Sequence, residues 1–364
     1  MTLDLEPFLE RADSVLDPAR SREVYARQRN ACRFGEPGTL PIAFVVDDLP
    51  GWKRFRIDEA FGNPDLMLAN ELRSVYGSAL VGDDRIGTLR ANFGVGILPS
   101  LFGCAIRLTF DAMPWVESFD SRDAIKKIVA NGVPDLRGGL WPKVDEFQNY
   151  ALSRIKDYPS LHSSVRLSMC DMQGPFSIAH LVWGNDIYYA VVDEPSLVSD
   201  FLEVVTETYV QFIRQEREAT SADEDFTEFL NVLVPGKVLI REDSATNLSP
   251  AMYKRYCLPY IQKTLNVFPG GVHYCGAGHQ FFDLVTACDN LTCVNFGNPE
   301  LQYPEKVKAL IDRRIAVIGW GVWPLDPLLA SERTGLTLGV PVPGVEEGTR
   351  ILAQRDSCGR RTDN

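Results

Sequence analysis

From residue 143 onward, short apolar runs alternate with longer stretches in which apolar residues return every three or four positions. The runs "SVRLSMCDM" (164–172), "GKVLIRED" (236–243), "GGVHYC" (270–275), "LTCVNF" (291–296), "IAVIGW" (315–320) and "GLTLGVPV" (335–342) predict strands. The clearest helix is predicted from Pro195 to about Glu218, where Val198, Phe201, Leu202, Val205, Tyr209 and Phe212 share a face and Pro195 suits the first turn. Ser249 and Pro250 read as the N-cap and first position of a second helix, which Pro259 should kink or end. "HQFFDLVTAC" (279–288), "PEKVKALIDR" (304–313) and a short segment from about Val345 to Ala353 predict further helices. Strands joined by crossovers of this length form a parallel α/β sheet or barrel.

The earlier part of the chain is less regular. Residues 1–35 have helical texture, with Leu5, Phe8 and Leu9 spaced for one face, and read as a helical extension packed on the body. Residues 36–145 are broken by Pro and Gly and predict strands and long loops. Residues 36–355 then form the main body, and 356–364 a polar tail.

Composition narrows the class. A chain of 364 residues suits one α/β barrel with additions. A formal net charge of -12 has the wrong sign for a surface that neutralises phosphates, so nucleic acid is not an expected partner. No run approaches the roughly 20 apolar residues of a membrane helix, and the N-terminus "MTLDLEPFLERADSVLD" is acidic, which predicts a cytoplasmic protein. The eight cysteines lack framework spacing and read as free thiols in a reducing compartment.

In parallel α/β folds, ligands meet the carboxyl ends of the strands. Three predicted strands end there in polar residues: Asp171 with Gln173, Glu242 with Asp243, and His273 with Cys275. Side chains alternate along a strand, so His273 and Cys275 project to one side, and at most one of Glu242 and Asp243 points inward. Catalytic zinc takes three protein ligands, of which a His-x-Cys pair supplies two. A buried cysteine beside a hydrogen-bonded histidine would give the same spacing. Gly276 and Gly278 permit a tight turn and close approach to a ligand, although a plain strand-to-helix turn also uses glycine. Trp183, Tyr188 and Tyr189 could face a flat ligand or fill core, and Cys288 and Cys293 read as core.

Three segments together resemble the uroporphyrinogen decarboxylase superfamily of TIM barrels. They are "GPFSIAHLVWGNDIYYAVVDEPSLVSDFLEVVTETYVQFIRQ" (174–215), "EDSATNLSPAMYKRYCLPYIQKTL" (242–265) and "VHYCGAG" (272–278). The resemblance covers about 174–345 and implies a TIM (β/α)8 barrel behind the N-terminal helical extension. Its corrinoid-dependent methyltransferase branch implies methyl transfer between a corrinoid, free or on a partner protein, and a thiol or related small-molecule acceptor. Zinc in that branch is held by a His-x-Cys pair, matched here by His273 and Cys275, and by a later cysteine. At the corresponding place this chain reads "TLGVPVPGV", with Val340 and Val342, and Cys358 lies in the polar tail. Glu242 is the candidate third ligand; Glu242, Asp243 and Asp171 are the catalytic candidates, and Gln173, Trp183, Gly276 and His279 the cofactor-side ones. One alternative is a decarboxylase of uroporphyrinogen or another polycarboxylate, using Asp171 or Asp243. The decarboxylases' "MRQAGR" arginine motif is absent, however, and only Arg54, Arg56, Arg166 and Arg241 are at hand. A second alternative is a non-catalytic corrinoid- or partner-binding barrel.

Overall fold

A computed structural model describes residues 3–36, 38–229 and 232–359, with side chains of the last helix as far as 356. Cys358 and most of the expected tail lie outside the described side chains. Helix continues to Gly359, past the expected end near Ala353.

Six parallel strands form one sheet, in the spatial order Ile42–Val46, Leu336–Val342, Ala316–Trp320, Leu291–Phe296, Gly270–Tyr274 and Val238–Arg241. Two more, Gly87–Arg90 and Val165–Ser168, form a parallel pair of their own. The segment entering the pair is tied to one edge of the sheet: Asp84 donates its N–H to Ile42 O at 2.7 Å, and its Oδ2 accepts from Ile42 N at 3.1 Å. Asp83 Oδ2 accepts from Phe44 N at 2.6 Å. At the other edge, Arg241 O accepts from Gly174 N at 2.6 Å, and Arg241 Nε donates to Met172 O at 2.8 Å. The pair therefore bridges both open edges, and the mixed α/β arrangement is consistent with a TIM-like barrel.

Burial follows the strand alternation. Side chains facing the helix layer belong to one large core, whereas Ile86, Leu239, Cys293, Ala316 and Ile318 face inward and form a small second one. Phe226, Leu233 and Val234 complete that inner cluster. They come from an antiparallel hairpin, Phe226–Phe229 with Val232–Pro235, which no periodicity had suggested. Buried on both faces, a short hairpin of this kind is stable only where it is enclosed. Val24 and Cys32 of the helix Pro18–Cys32 close the cluster from the extension.

Residues 36–145 differ from expectation. They contain the helices Ile57–Phe61, Pro64–Val81, Ile97–Leu101 and Arg122–Asn131 and the start of Trp141–Ile155, in addition to strands. Pro64–Val81 has clear end signals: Asn63 accepts from the N–H groups of Asp65 and Leu66, and Gly82 ends the helix at φ +72°. Its apolar residues occupy several faces because the helix is buried among others, so no single stripe marks it. The helix expected over 279–288 shrinks to Phe282–Val285. Ser249 does cap the helix Pro250–Tyr256, and a new helix starts at Leu258 with Pro259 in its first turn.

No helix among the described residues is long and apolar enough to cross a membrane.

Candidate metal centre at the strand ends

His273, Arg241 and Asn295 stand level with one another on three adjacent strands, Arg241 and Asn295 each being in register with His273. Being in register, their side chains project to the same, inner face. His273 Nε2 lies 3.7 Å from Cys275 Sγ and 3.3 Å from Asp243 Oδ1. The ligand atoms of Asp243, His273 and Cys275 all fall within 4.8 Å of one another. A tetrahedron built on zinc bond lengths of about 2.0–2.3 Å has neighbouring ligand atoms about 3.3–3.6 Å apart, close to the two histidine distances.

The third place in this cluster belongs to Asp243 and not to Glu242. Adjacent residues at a strand end face opposite ways, and Glu242 turns to the helix layer, fully buried. Its carboxylate accepts from Phe176 N at 3.0 Å, Ser177 N at 2.9 Å and Ser177 Oγ at 3.0 Å, so it caps the helix Pro175–Trp183. Burial pushes Glu242 up to about 7 against the pull of those donors. A Cβ on Gly174 would come within 2.6 Å of Glu242 Oε1, so glycine is needed for this close approach.

Burial alone would raise the Asp243 carboxyl, but His273, Cys275 and Arg241 outweigh it and hold it below its ordinary value. Cys275 N donates to Asp243 Oδ1 at 3.1 Å, which pins the carboxylate beside the imidazole. Burial, reinforced by the Asp243 charge, pushes the Cys275 thiol up to about 12. Without a cation this sulfur stays protonated at neutral pH; a divalent metal would make it a thiolate.

The turn after Cys275 is held open. Gly276 has φ +78°, donates its N–H to Asn298 Oδ1 at 2.8 Å, and has nothing within 4 Å of where a Cβ would stand. His279 is outside the cluster: its Nε2 lies 2.9 Å from Leu301 O, and its ring stacks on Tyr303 at 4.4 Å.

The remaining candidates are scattered. Asp171 forms an ion pair with Arg241, with Arg90 at 3.9 Å. Gln173 is buried. Trp183 is fully buried against Phe201 in the large core and cannot line an open pocket, so its cofactor role falls away. Cys293 is likewise core. Among the arginines, Arg54 meets Asp111 at 2.9 Å, Arg56 meets Asp58 at 2.7 Å and Arg166 meets Glu228 at 3.4 Å. Each of the four expected clamp arginines thus already faces a carboxylate.

Two participants had escaped sequence reasoning. Phe229, at the end of the first hairpin strand, lies 5.5 Å from the His273 ring, with the Arg241 guanidinium 5.2 Å above its own ring. Asn295 lies beside His273; the signal available for it was one amide in the otherwise apolar end of "LTCVNF".

No protein-family profile matches the chain, and no curated protein matches it. Among solved structures, a methyltransferase from Methanosarcina mazei superposes with a TM-score of 0.64 over 92% of this chain and 98% of that one, at 18% sequence identity. The likeness is one of fold.

Proposed function

We propose that the chain is a closed (β/α)8 barrel of the uroporphyrinogen decarboxylase superfamily that transfers a methyl group from a corrinoid to a thiol, with zinc held by Asp243, His273 and Cys275. The observation that carries this is the convergence of a carboxylate, an imidazole nitrogen and a sulfur within 4.8 Å of one another on the inner face of the strand ends, with the two distances from the imidazole close to tetrahedral edges. The fold shared with a methyltransferase supports the reaction class by analogy. The donor set suits zinc, which accepts oxygen, nitrogen and sulfur together, and three protein ligands leave a position for substrate.

Zinc held by these residues would lower the pKa of an incoming thiol and so supply a thiolate nucleophile at neutral pH. The chain's own residues do the positioning. Cys275 N fixes Asp243, the bond from Gly276 N to Asn298 Oδ1 fixes the turn after Cys275, and Phe229 packs beside the histidine ring. The methyl group moves to sulfur without its bonding electrons, which stay with the corrinoid, and the thiol proton leaves to water. The corrinoid is a substrate here, arriving free or on a partner protein.

The test is zinc content and methyl transfer together. Purified protein should hold about one zinc per chain, lost in the His273→Ala, Cys275→Ser double variant, and should methylate a simple thiol from methylcobalamin only when loaded. A protein that excludes zinc but turns over uroporphyrinogen would favour the decarboxylase, and cobalamin binding without transfer the non-catalytic barrel.

A further inference from the structure

We infer that Asn295 is a positioning residue that locks His273 in the Nδ1–H tautomer, so that Nε2 presents its lone pair to the Asp243 and Cys275 side of the cluster. This rests on the metal site proposed above only for its purpose; the hydrogen-bond logic stands alone.

The logic starts at a carbonyl. Asn295 Nδ2 lies 2.6 Å from Ile318 O, which can only accept, so the amide NH2 must face it. That orientation is assigned by the partner: the flipped amide would set two oxygens against each other. Asn295 Oδ1 then faces His273 Nδ1, at 2.5 Å. An amide oxygen also only accepts, so the proton sits on Nδ1. Nε2 also faces an acceptor, Asp243 Oδ1, but at 3.3 Å against 2.5 Å on the Nδ1 side, so the shorter bond holds the proton on Nδ1 and leaves the free electron pair on Nε2, beside Asp243 and Cys275 Sγ.

The backbone is shaped to supply the carbonyl. The pairing between Ala316–Trp320 and Leu336–Val342 slips between Val317 and Trp320, and within that irregularity Gly319 takes φ +62°. Gly319 N turns to Thr337 Oγ1 at 3.0 Å, and Ile318 O is left for Asn295. Such irregularities recur next to active sites because they re-aim a backbone group. A Cβ at Gly319 would stand 3.1 Å from Asn295 Nδ2, which adds a steric need for glycine to the conformational one. With His273 7% and Asn295 5% exposed, water has little access to replace either bond.

Two measurements on the full-length protein decide this. First, nitrogen-15 NMR of histidine-labelled, metal-free protein above the imidazole titration range should show His273 as the Nδ1–H tautomer, and Asn295→Leu should lose that preference. Second, competition against a zinc chelator should show affinity about 10- to 100-fold weaker in Asn295→Leu. Thermal unfolding of the metal-free variant checks that it folds. An Nε2–H tautomer in the wild type, or a tautomer unchanged in Asn295→Leu, overturns the inference. So does undiminished zinc affinity in a folded Asn295→Leu variant. If the wild type takes up no zinc, the metal reading fails while the tautomer measurement still decides the role of Asn295.

Discussion

Glu242 and Asp243 are neighbours in the chain and serve opposite sides of the sheet. Glu242 caps a buried helix in the outer layer, and Asp243 stands 3.3 Å from His273 Nε2 on the inner face. Replacing each should therefore have separable effects. Glu242→Ala leaves the donors of Phe176 and Ser177 buried without partners, a loss of about 1–3 kcal/mol for each orphaned group, read by chemical denaturation. Asp243→Asn should leave stability within about 1 kcal/mol and weaken zinc uptake at least tenfold. Equal zinc affinity in Asp243→Asn and wild type would remove Asp243 from the ligand set.

Zinc uptake should release a proton. The Cys275 thiol, pushed up to about 12, is protonated in the metal-free protein, and a metal ligand must be the thiolate. Calorimetric titration in buffers of different ionisation enthalpy should report close to one proton released per zinc near neutral pH. Apparent affinity should rise about tenfold per pH unit there. Cys275→Ser should flatten the dependence along with weakening the affinity.

Glu216 predicts a pH effect on stability of definite sign. Fully buried, it accepts from Cys170 N at 2.8 Å and Gln148 Nε2 at 3.0 Å, while its other oxygen has no partner. Burial pushes it from the ordinary 4.5 up to about 6, despite those bonds. The folded state holds this proton more tightly, so the contribution is fully present below about pH 4.5 and is lost as pH rises through about 6, in all about 2 kcal/mol. Glu216→Gln should remove that part of the decline, which denaturant titrations between pH 4 and 8 would show as a flatter curve than the wild type's.

Arg241 and Asp171 form a pair with little solvent access, their side chains 10% and 15% exposed. Arg241→Gln leaves Asp171 only the more distant Arg90, at 3.9 Å, and should cost up to about 3 kcal/mol; Asp171→Asn should cost less, because Met172 O still takes one guanidinium N–H. In a double-mutant cycle the two losses should overlap by at least about 1 kcal/mol. Additive losses would mean that the two side chains act independently.

The alternation of strands and helices after residue 143, the helix from Pro195, the capping by Ser249 and the shared face of His273 and Cys275 were all legible in the chain, because each follows from local periodicity or a local hydrogen bond. Local pattern also limited Glu242 and Asp243 to one inward residue without saying which. That choice depended on the strand's rotation relative to the helix Pro175–Trp183, whose N–H groups lie more than sixty residues earlier. The helix Pro64–Val81 and the enclosed hairpin escaped for a related reason: burial on several sides erases the polar face that periodicity reads. Asn295 became visible only through its register with His273 and the irregular strand beside it. Alternation along each strand limits which residues can share a face, whereas which of them meet depends on register, rotation and the backbone groups left unpaired at bends, and none of these is a local property of the chain.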